Sequence, residues 1–183
     1  MNIAEDQKIT LTIGQLKRLV KEAKRPEFNI KYGVLKKYHG KGGDVVIPNG
    51  VENIGRYAFK NRGDITSVTF PISVTAIGVC AFQGCGGLTS ITFPDSLEAI
   101  CLRAFSDCWS LTSVTIPDSV DYLEYGAFEY CDNLEFVRLP SCLFKKVINN
   151  PEDYFNETPF MEKLNGYETE SEKIDFLISM NHG

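Results

Sequence analysis

The sequence is poor in the residues that most often do chemistry. It holds two histidines and one tryptophan in 183 residues. His39 and His182 stand near opposite ends, and neither has a serine or cysteine motif beside it. A nucleophile–histidine–acid triad is therefore not expected. The six cysteines are Cys80, Cys85, Cys101, Cys108, Cys131 and Cys142. They form no C-x-x-C pair and do not cluster with histidine, which argues against zinc. No apolar run approaches the roughly 20 residues of a membrane-spanning helix. The opening MNIAEDQKITLTIGQ has early acids and no long apolar stretch, unlike a secretory signal. GKGG at 40–43 lacks the Walker A spacing and reads as a turn. No two carboxylates have a reason to share a site. These absences point away from an enzyme and from any metal or cofactor.

The apolar share of 43% is too high for a disordered chain. Charge is unevenly placed. Residues 1–43 carry ten Lys/Arg against four Asp/Glu, a net of +6. Residues 44–146 carry a net of −5, and residues 147–183 a net of −6. A basic head and an acidic tail can be two solvated ends, or can face each other within one chain or between copies. Lys17, Lys21 and Lys24 fall on one helical face with Arg18 and Arg25 beside them. Nucleic acid is disfavoured even so, because the whole chain is acidic at −5 and shows no recognition motif.

What is present is a repeat. Pro48, Pro71, Pro94, Pro117 and Pro140 are each 23 residues apart, as are Phe59, Phe82, Phe105 and Phe128, each after an alanine. Cys85, Cys108 and Cys131 keep the same interval. Three rows show it in full: 67–89, 90–112 and 113–135; a weaker row spans 44–66 and a partial one begins at Phe136. Such a period predicts stacked supersecondary units. Within a row, Val114 and Ile116 alternate with Ser113 and Thr115, the period of a strand. Proline ends that strand, since it has no N–H to donate. Asp118-Ser119 turns the chain, Val120 and Leu123 face inward again, and Ala127-Phe128 sits on a short helical turn. One coil cannot bury its own apolar side, but stacked coils spaced about 4.8 Å apart can. The phenylalanines should then form a column. Side chains at the cysteine position would lie near the rung spacing, whereas a disulfide wants Cβ atoms about 3.8 Å apart. Buried free thiols serving as small core residues are expected instead.

The row LTSVTIPDSVDYLEYGAFEYCDN (111–133) resembles the BspA-like leucine-rich repeat over about residues 44–140. The resemblance implies an α/β repeat solenoid, a right-handed superhelix with a parallel β-sheet on one face, short helical turns and helical end caps. Arg62 departs from the pattern by replacing the cysteine in the first row, and SCLFKK (141–146) loses the Ser-Val-Ile pattern. The domain reading is a cap of helix and hairpin at 1–43, an array of four to five coils at 44–146, and a helical cap or tail at 147–183. Thr12 and Gln15 fit a capping box ahead of the apolar positions Leu16, Leu19, Val20 and Ala23. Thr158-Pro159 can start a short helix, and Thr169 with Glu172 forms a second capping box.

The family resemblance implies a protein partner, with a role as a bacterial cell-surface adhesin or antigen, binding a host or surface ligand, as the alternative. Free cysteines and the absence of a signal-like start suggest a reducing compartment; the family precedent is the cell surface. The strand face is the expected binding surface. Its outward residues are Ser67 and Thr69, Ser90 and Thr92, Ser113 and Thr115, then Phe136 and Arg138. The first three pairs make a plain hydroxyl ladder. Phe136 and Arg138 break it, and both residue types are enriched at interfaces; packing under the C-terminal segment is the other reading. Trp109 stands where other rows have Gly63, Gly86 and Asp132, so it is expected at the surface near Tyr122 or Tyr130. An exposed tryptophan is either a hot spot or a side chain packed on a neighbouring turn. Asn156-Glu157-Thr158 matches the glycosylation sequon by pattern.

Overall fold

A computed structural model describes residues 12–23 and 26–181. Lys24, Arg25 and His182 lie outside the described residues, as do the side chains of Leu19, Val20, Lys21 and Ala23. Helix α1 (Ile13–Ala23) leads to a hairpin of β1 (Phe28–Lys31) and β2 (Val34–Tyr38). Thr12 Oγ1 accepts from the Gln15 amide at 3.2 Å while the Gln15 side chain accepts from the Thr12 amide at 2.8 Å, closing the capping box. The hairpin turns on Tyr32 and Gly33, both at positive φ (52° and 72°), as a two-residue primed turn requires.

Strands on two sides of the coil then alternate: β3 (Gly43–Val46), β4 (Asn53–Ile54), β5 (Ile65–Thr69), β6 (Ala76–Ile77), β7 (Ser90–Thr92), β8 (Ala99–Ile100), β9 (Ser113–Thr115), β10 (Tyr122–Leu123) and β11 (Phe136–Arg138). The chain is a parallel β-solenoid of about five turns. One side is a ladder in the order β1-β2-β4-β6-β8-β10, parallel except for the opening hairpin. Its strands are two residues long beyond β2, because only Ile54, Ile77, Ile100 and Leu123 need to point inward there. The opposite side carries β3-β5-β7 and β9-β11 as separate parallel sheets. Register is in step with the repeat: Ser67 faces Ser90, and Val137 faces Val114.

The third side holds the Ala-Phe pairs, and there the expected helical turn is realised as overlapping turns. Ala81 and Gln83 donate to carbonyls three residues back, while Cys80, Phe82 and Gly84 donate to the next rung at 2.8–2.9 Å. Alternate residues must flip for this, and two columns have positive φ: Tyr57, Cys80, Arg103 and Gly126 (52–64°), then Asn61, Gly84, Asp107 and Tyr130 (57–73°). Most are not glycine, so the left-handed conformation is maintained by the inter-rung hydrogen bonds against the steric preference of L-residues.

The phenylalanines do lie one above the next. Phe59–Phe82, Phe82–Phe105 and Phe105–Phe128 have centroids 4.6, 5.1 and 5.3 Å apart and planes within 8°. Tyr38 continues the column at one end and Phe155 at the other, at 5.1 and 5.6 Å. Phe160 closes it edge-on. The thiols of Cys85, Cys108 and Cys131 are fully buried and donate to the carbonyls of Phe59, Phe82 and Phe105 at 3.2–3.4 Å. Burial pushes the Cys85 thiol up to about 12. Not every cysteine is core: Cys101 is half-buried and Cys142 exposed. Cys142 takes the rim place of Ser73, Ser96 and Ser119, whose hydroxyls each donate to a carbonyl of the preceding rung.

Both ends of the core are sealed by side chains that break the repeat. Arg62 stands where later rows have cysteine. It lies over the Tyr38 ring at 4.9 Å and donates to Gly40 O and both carboxylate oxygens of Asp64. At the far end the chain leaves the pattern through a 3₁₀ turn (Ser141–Leu143) and helices α2 (Phe144–Asn149), α3 (Glu152–Phe155), α4 (Pro159–Asn165) and α5 (Glu170–Asn181). Residues 153, 154 and 156 still accept from Gly126, Phe128 and Tyr130, so α3 and the residue after it continue the third side. Thr158 and Thr169 cap α4 and α5 as their sequence pattern predicts.

Candidate functional site

The strand face presents two outward columns. Ser90, Thr92, Ser113, Thr115, Phe136 and Arg138 are all exposed, while Ile91, Val114 and Val137 between them are buried. Proline after each strand ends the outward ladder and turns the chain to the next side.

The face is not uniform. β7 and β9 lie on successive rungs yet form no ladder. Elsewhere Ile47 donates to Thr69 O at 3.0 Å and Ile116 to Arg138 O at 2.9 Å. No corresponding bond joins Phe93 to Thr115, or Phe70 to Thr92, among the described residues; at the strand start Thr89 donates to Thr66 O and Glu135 to Thr112 O, while none joins Thr112 to Thr89. A depression of about 570 Å³ opens along this seam, with Ile91 and Phe93 in its lining and Thr92, Asp95, Thr115, Asp118, Ser119 and Arg138 around it. A second, of about 540 Å³, lies over β9 and β11. Ser113, Thr115, Phe136 and Arg138 line it, with Met180 and Asn181 of α5 as a wall. Asn181 holds that wall in place by donating to Leu139 O at 2.9 Å.

Five of the nine residues singled out from sequence thus line one or both depressions, and Thr115 and Arg138 are common to both. Ser67, Thr69 and Ser90 are on the same face but line neither, and Trp109 lines neither. Phe136 is 58% exposed and receives the Lys163 ammonium over its ring at 5.0 Å; Lys163 also pairs with Glu135 at 3.2 Å. Arg138, Asp95 and Asp118 line the same depression as Ile91 and Phe93, so the seam offers one cation and two anions beside apolar side chains. That mixture can bind a polypeptide surface carrying both an apolar anchor and charged groups. Trp109 is 52% exposed, and its ring lies against Gly86 of the preceding rung, which is the packing on a neighbouring turn. Among the described residues no ring contact joins it to Tyr122 or Tyr130.

The sequence raises α5 only as a C-terminal segment over Phe136 and Arg138; Met180 and Asn181 lie outside the repeat and carry no signal of their own. The remaining motifs are structural. Thr158 of the sequon is buried as a helix cap. His39 is exposed just after β2, and its amide donates to Glu27 O. Among the described residues no group of three or more His, Cys, Asp or Glu could hold a metal ion. None of the described helices is long and apolar enough to cross a membrane.

Residues 38–166 match the model of the BspA type leucine rich repeat region in six copies. Similar solved structures include a leucine rich cell surface protein of Faecalibacterium prausnitzii, at 31% identity and a TM-score of 0.58, covering 68% of this chain and 35% of that one. A leucine-rich repeat protein of Bacteroides ovatus is 35% identical with a TM-score of 0.54, covering 58% of this chain and 29% of its own. One of Bacteroides capillosus is 31% identical with a TM-score of 0.52, covering 60% and 90%. The chain spans about a third of the length of the first of these. A comparison with curated protein sequences finds no match.

Proposed function

Since the chain belongs to the BspA-type leucine-rich-repeat family, we propose that it is a non-catalytic interaction module that holds a protein partner on its strand face. The carrying observation is the convergence of Thr115 and Arg138 on two adjoining depressions, one of which also has Phe136. A hydroxyl ladder alone gives little binding energy, about 0.5–1.5 kcal/mol net per hydrogen bond. Phenylalanine and arginine beside it supply the aromatic and charged anchors that dominate interfaces. Trp109 is an additional candidate contact outside the depressions. The test is affinity capture from the source cell with three proteins: the wild type, Phe136→Ala combined with Arg138→Glu, and Trp109→Ala. All three should have matching circular dichroism. Loss of the same bound protein from the double variant supports the reading; equal recovery removes the strand face from it.

The similar Faecalibacterium prausnitzii protein is described as a cell surface protein. That favours a second reading, a surface adhesin or antigen whose partner is a host or surface ligand. Protease shaving of intact source cells separates the two settings: release of fragments of this chain supports the second, and full protection sinks it.

A further inference from the structure

The strand face does not account for a group of cations on the third side of the first coil. Residues 26–62, the opening hairpin and most of that coil, carry seven Lys/Arg against three Asp/Glu, although the whole chain stands at −5. Three of the seven converge on Tyr57. This residue is 37% exposed and sits at positive φ (58°), with its amide donating to Val79 O of the next coil. Arg56 Nη2 donates to the Tyr57 hydroxyl at 2.7 Å, and the guanidinium lies 4.6 Å from the ring centre. The Lys60 ammonium lies 4.9 Å from the same centre. Lys37 reaches across from β2 and donates to the Tyr57 carbonyl at 3.0 Å.

Among the described residues none of these three cations is in an ion pair, whereas Arg62 pairs with Asp64, Lys163 with Glu135 and Arg103 with Glu129. The last pair is the telling contrast. Arg103 and Glu129 occupy the positions of Tyr57 and Lys60 in later coils, so this side of the solenoid can set an acid beside a cation and does not do so in the first coil. The stack does not need the cluster either, because the next coil has Val79 and Gln83 in place of Arg56 and Lys60. Like charges gathered on one residue repel each other, and cation–π attraction at an exposed site offsets only part of that.

We propose that Lys37, Arg56, Lys60 and the Tyr57 hydroxyl form a binding site for a phosphate monoester. Near neutral pH such a group carries about −1.5 to −2 and three strong acceptor oxygens, so it can take a bond from each of three separate cations. A carboxylate has a single charge and two oxygens to share among them. The Tyr57 oxygen accepts from Arg56 and still has its own hydrogen to give. Because one residue already holds all three cations, through its carbonyl, its hydroxyl and its ring, less side-chain freedom is lost on binding. The same chemistry is carried by a small phosphorylated metabolite and by a phosphoserine of a polypeptide.

The amide resonances of the full chain, followed by NMR during titration at about 0.1 M salt, test the site. The probes are glycerol phosphate and a short peptide with one phosphoserine, against acetate and the same peptide without phosphate. Saturable shifts at Tyr57 and Lys60 with either phosphorylated probe support the proposal, and the one that saturates at lower concentration identifies the source. Glycerol phosphate should saturate at a concentration about tenfold below that of acetate. Arg56→Val and Lys60→Gln install the residues of the next coil, which the fold accepts there. Each should raise the concentration needed by about tenfold with unchanged circular dichroism, while Lys163→Ala, at a cation paired elsewhere, changes nothing. Acetate binding as well as the phosphate probes overturns the proposal. So do phosphate shifts that neither substitution weakens, or a single-stranded oligonucleotide that binds more tightly than both monoesters. None of these readings depends on whether the strand face holds a partner.

Discussion

Replacing Phe105 by alanine tests the packing on which the whole array rests. Phe105 is fully buried, stacked between Phe82 and Phe128 with planes within 7°, and touched edge-on by Phe93 at 5.5 Å. Truncating a buried phenylalanine costs about 3–5 kcal/mol, and the value depends on how far the surroundings collapse. Here they cannot collapse far. The backbones of Phe82 and Phe105 each donate to the next rung at 2.8 Å, which holds the spacing between rungs. The cavity stays open and two ring stacks go, so the cost falls at about 4–5 kcal/mol. With a urea slope of about 2.5 kcal/mol per molar, the unfolding midpoint drops by about 1.8 M.

Trp109 is the only tryptophan and reports unfolding by fluorescence, with far-ultraviolet circular dichroism as the second probe. A drop under about 0.5 M, near 1 kcal/mol, would refute a rigidly spaced column. A finer test uses leucine, which keeps much of the volume and removes the stack. Phe82→Leu and Phe105→Leu should couple by about 0.5–1.5 kcal/mol. Phe59→Leu and Phe128→Leu are separated by two rings and should add to within about 0.5 kcal/mol.

Two adjacent glycines should behave differently. A Cβ at Gly87 would run into the backbone carbonyl of Gly63, whereas one at Gly86 meets the half-exposed indole of Trp109 at 2.5 Å. Gly87→Ala should cost about 1–3 kcal/mol by overpacking, while Gly86→Ala displaces the ring and shifts its emission with a smaller loss; thermal melts and fluorescence spectra check both. Thiol labelling under native conditions should find Cys142 first and Cys101 more slowly, while Cys85, Cys108 and Cys131 react only in urea, because burial keeps reagent from all three and raises the pKa of Cys85 and Cys108. The Arg62 guanidinium holds the Asp64 carboxyl below its ordinary 3.8, and hydroxyls of Ser67 and Thr66 do the same for Asp44. A depressed folded pKa gives stability that is complete above the ordinary value and is lost as pH falls through the folded one. Melting temperature should therefore hold from neutral pH down to about 5 and fall below about 4, with a shallower acid limb for Asp64→Asn combined with Asp44→Asn.

Much of the fold was legible because stacking turns sequence period into spatial contact. The phenylalanine column, the buried cysteine column and the outward hydroxyls all follow from equivalent positions lying one rung apart. The capping boxes were legible too, since both partners are local. Three features escaped for physical reasons. Positive φ recurs at Tyr57, Cys80 and Arg103, but no glycine marks it until Gly126, because hydrogen bonds to the next rung impose it. Phe155 continues the column 27 residues after Phe128, so the insertion hid it from a search at 23. The seam between β7 and β9 has Ser-Ile-Thr on one side and Ser-Val-Thr on the other, side chains that carry no signal of a missing ladder.

The same logic bears on where recognition resides. Inward positions are constrained by columns running through every rung, so any change there is felt by two neighbours. Outward positions have no such tie, and their content can vary row by row without cost to the stack. Along the strand face they are Asp44 and Val46 on β3, then serine and threonine on β5, β7 and β9, until β11, where Phe136 and Arg138 appear together, beside a wall supplied by α5. An exposed phenylalanine gains little for the core, and one beside an arginine at the end of a hydroxyl ladder suits the proposed binding surface. On that argument Phe136→Ala with Arg138→Glu should leave the melting temperature within about 2 °C, since exposed substitutions shift stability by under about 0.5 kcal/mol, while abolishing capture of the partner. A large loss of stability instead would mean that the pair holds the C-terminal cap in place, and the face would lose its strongest claim to recognition.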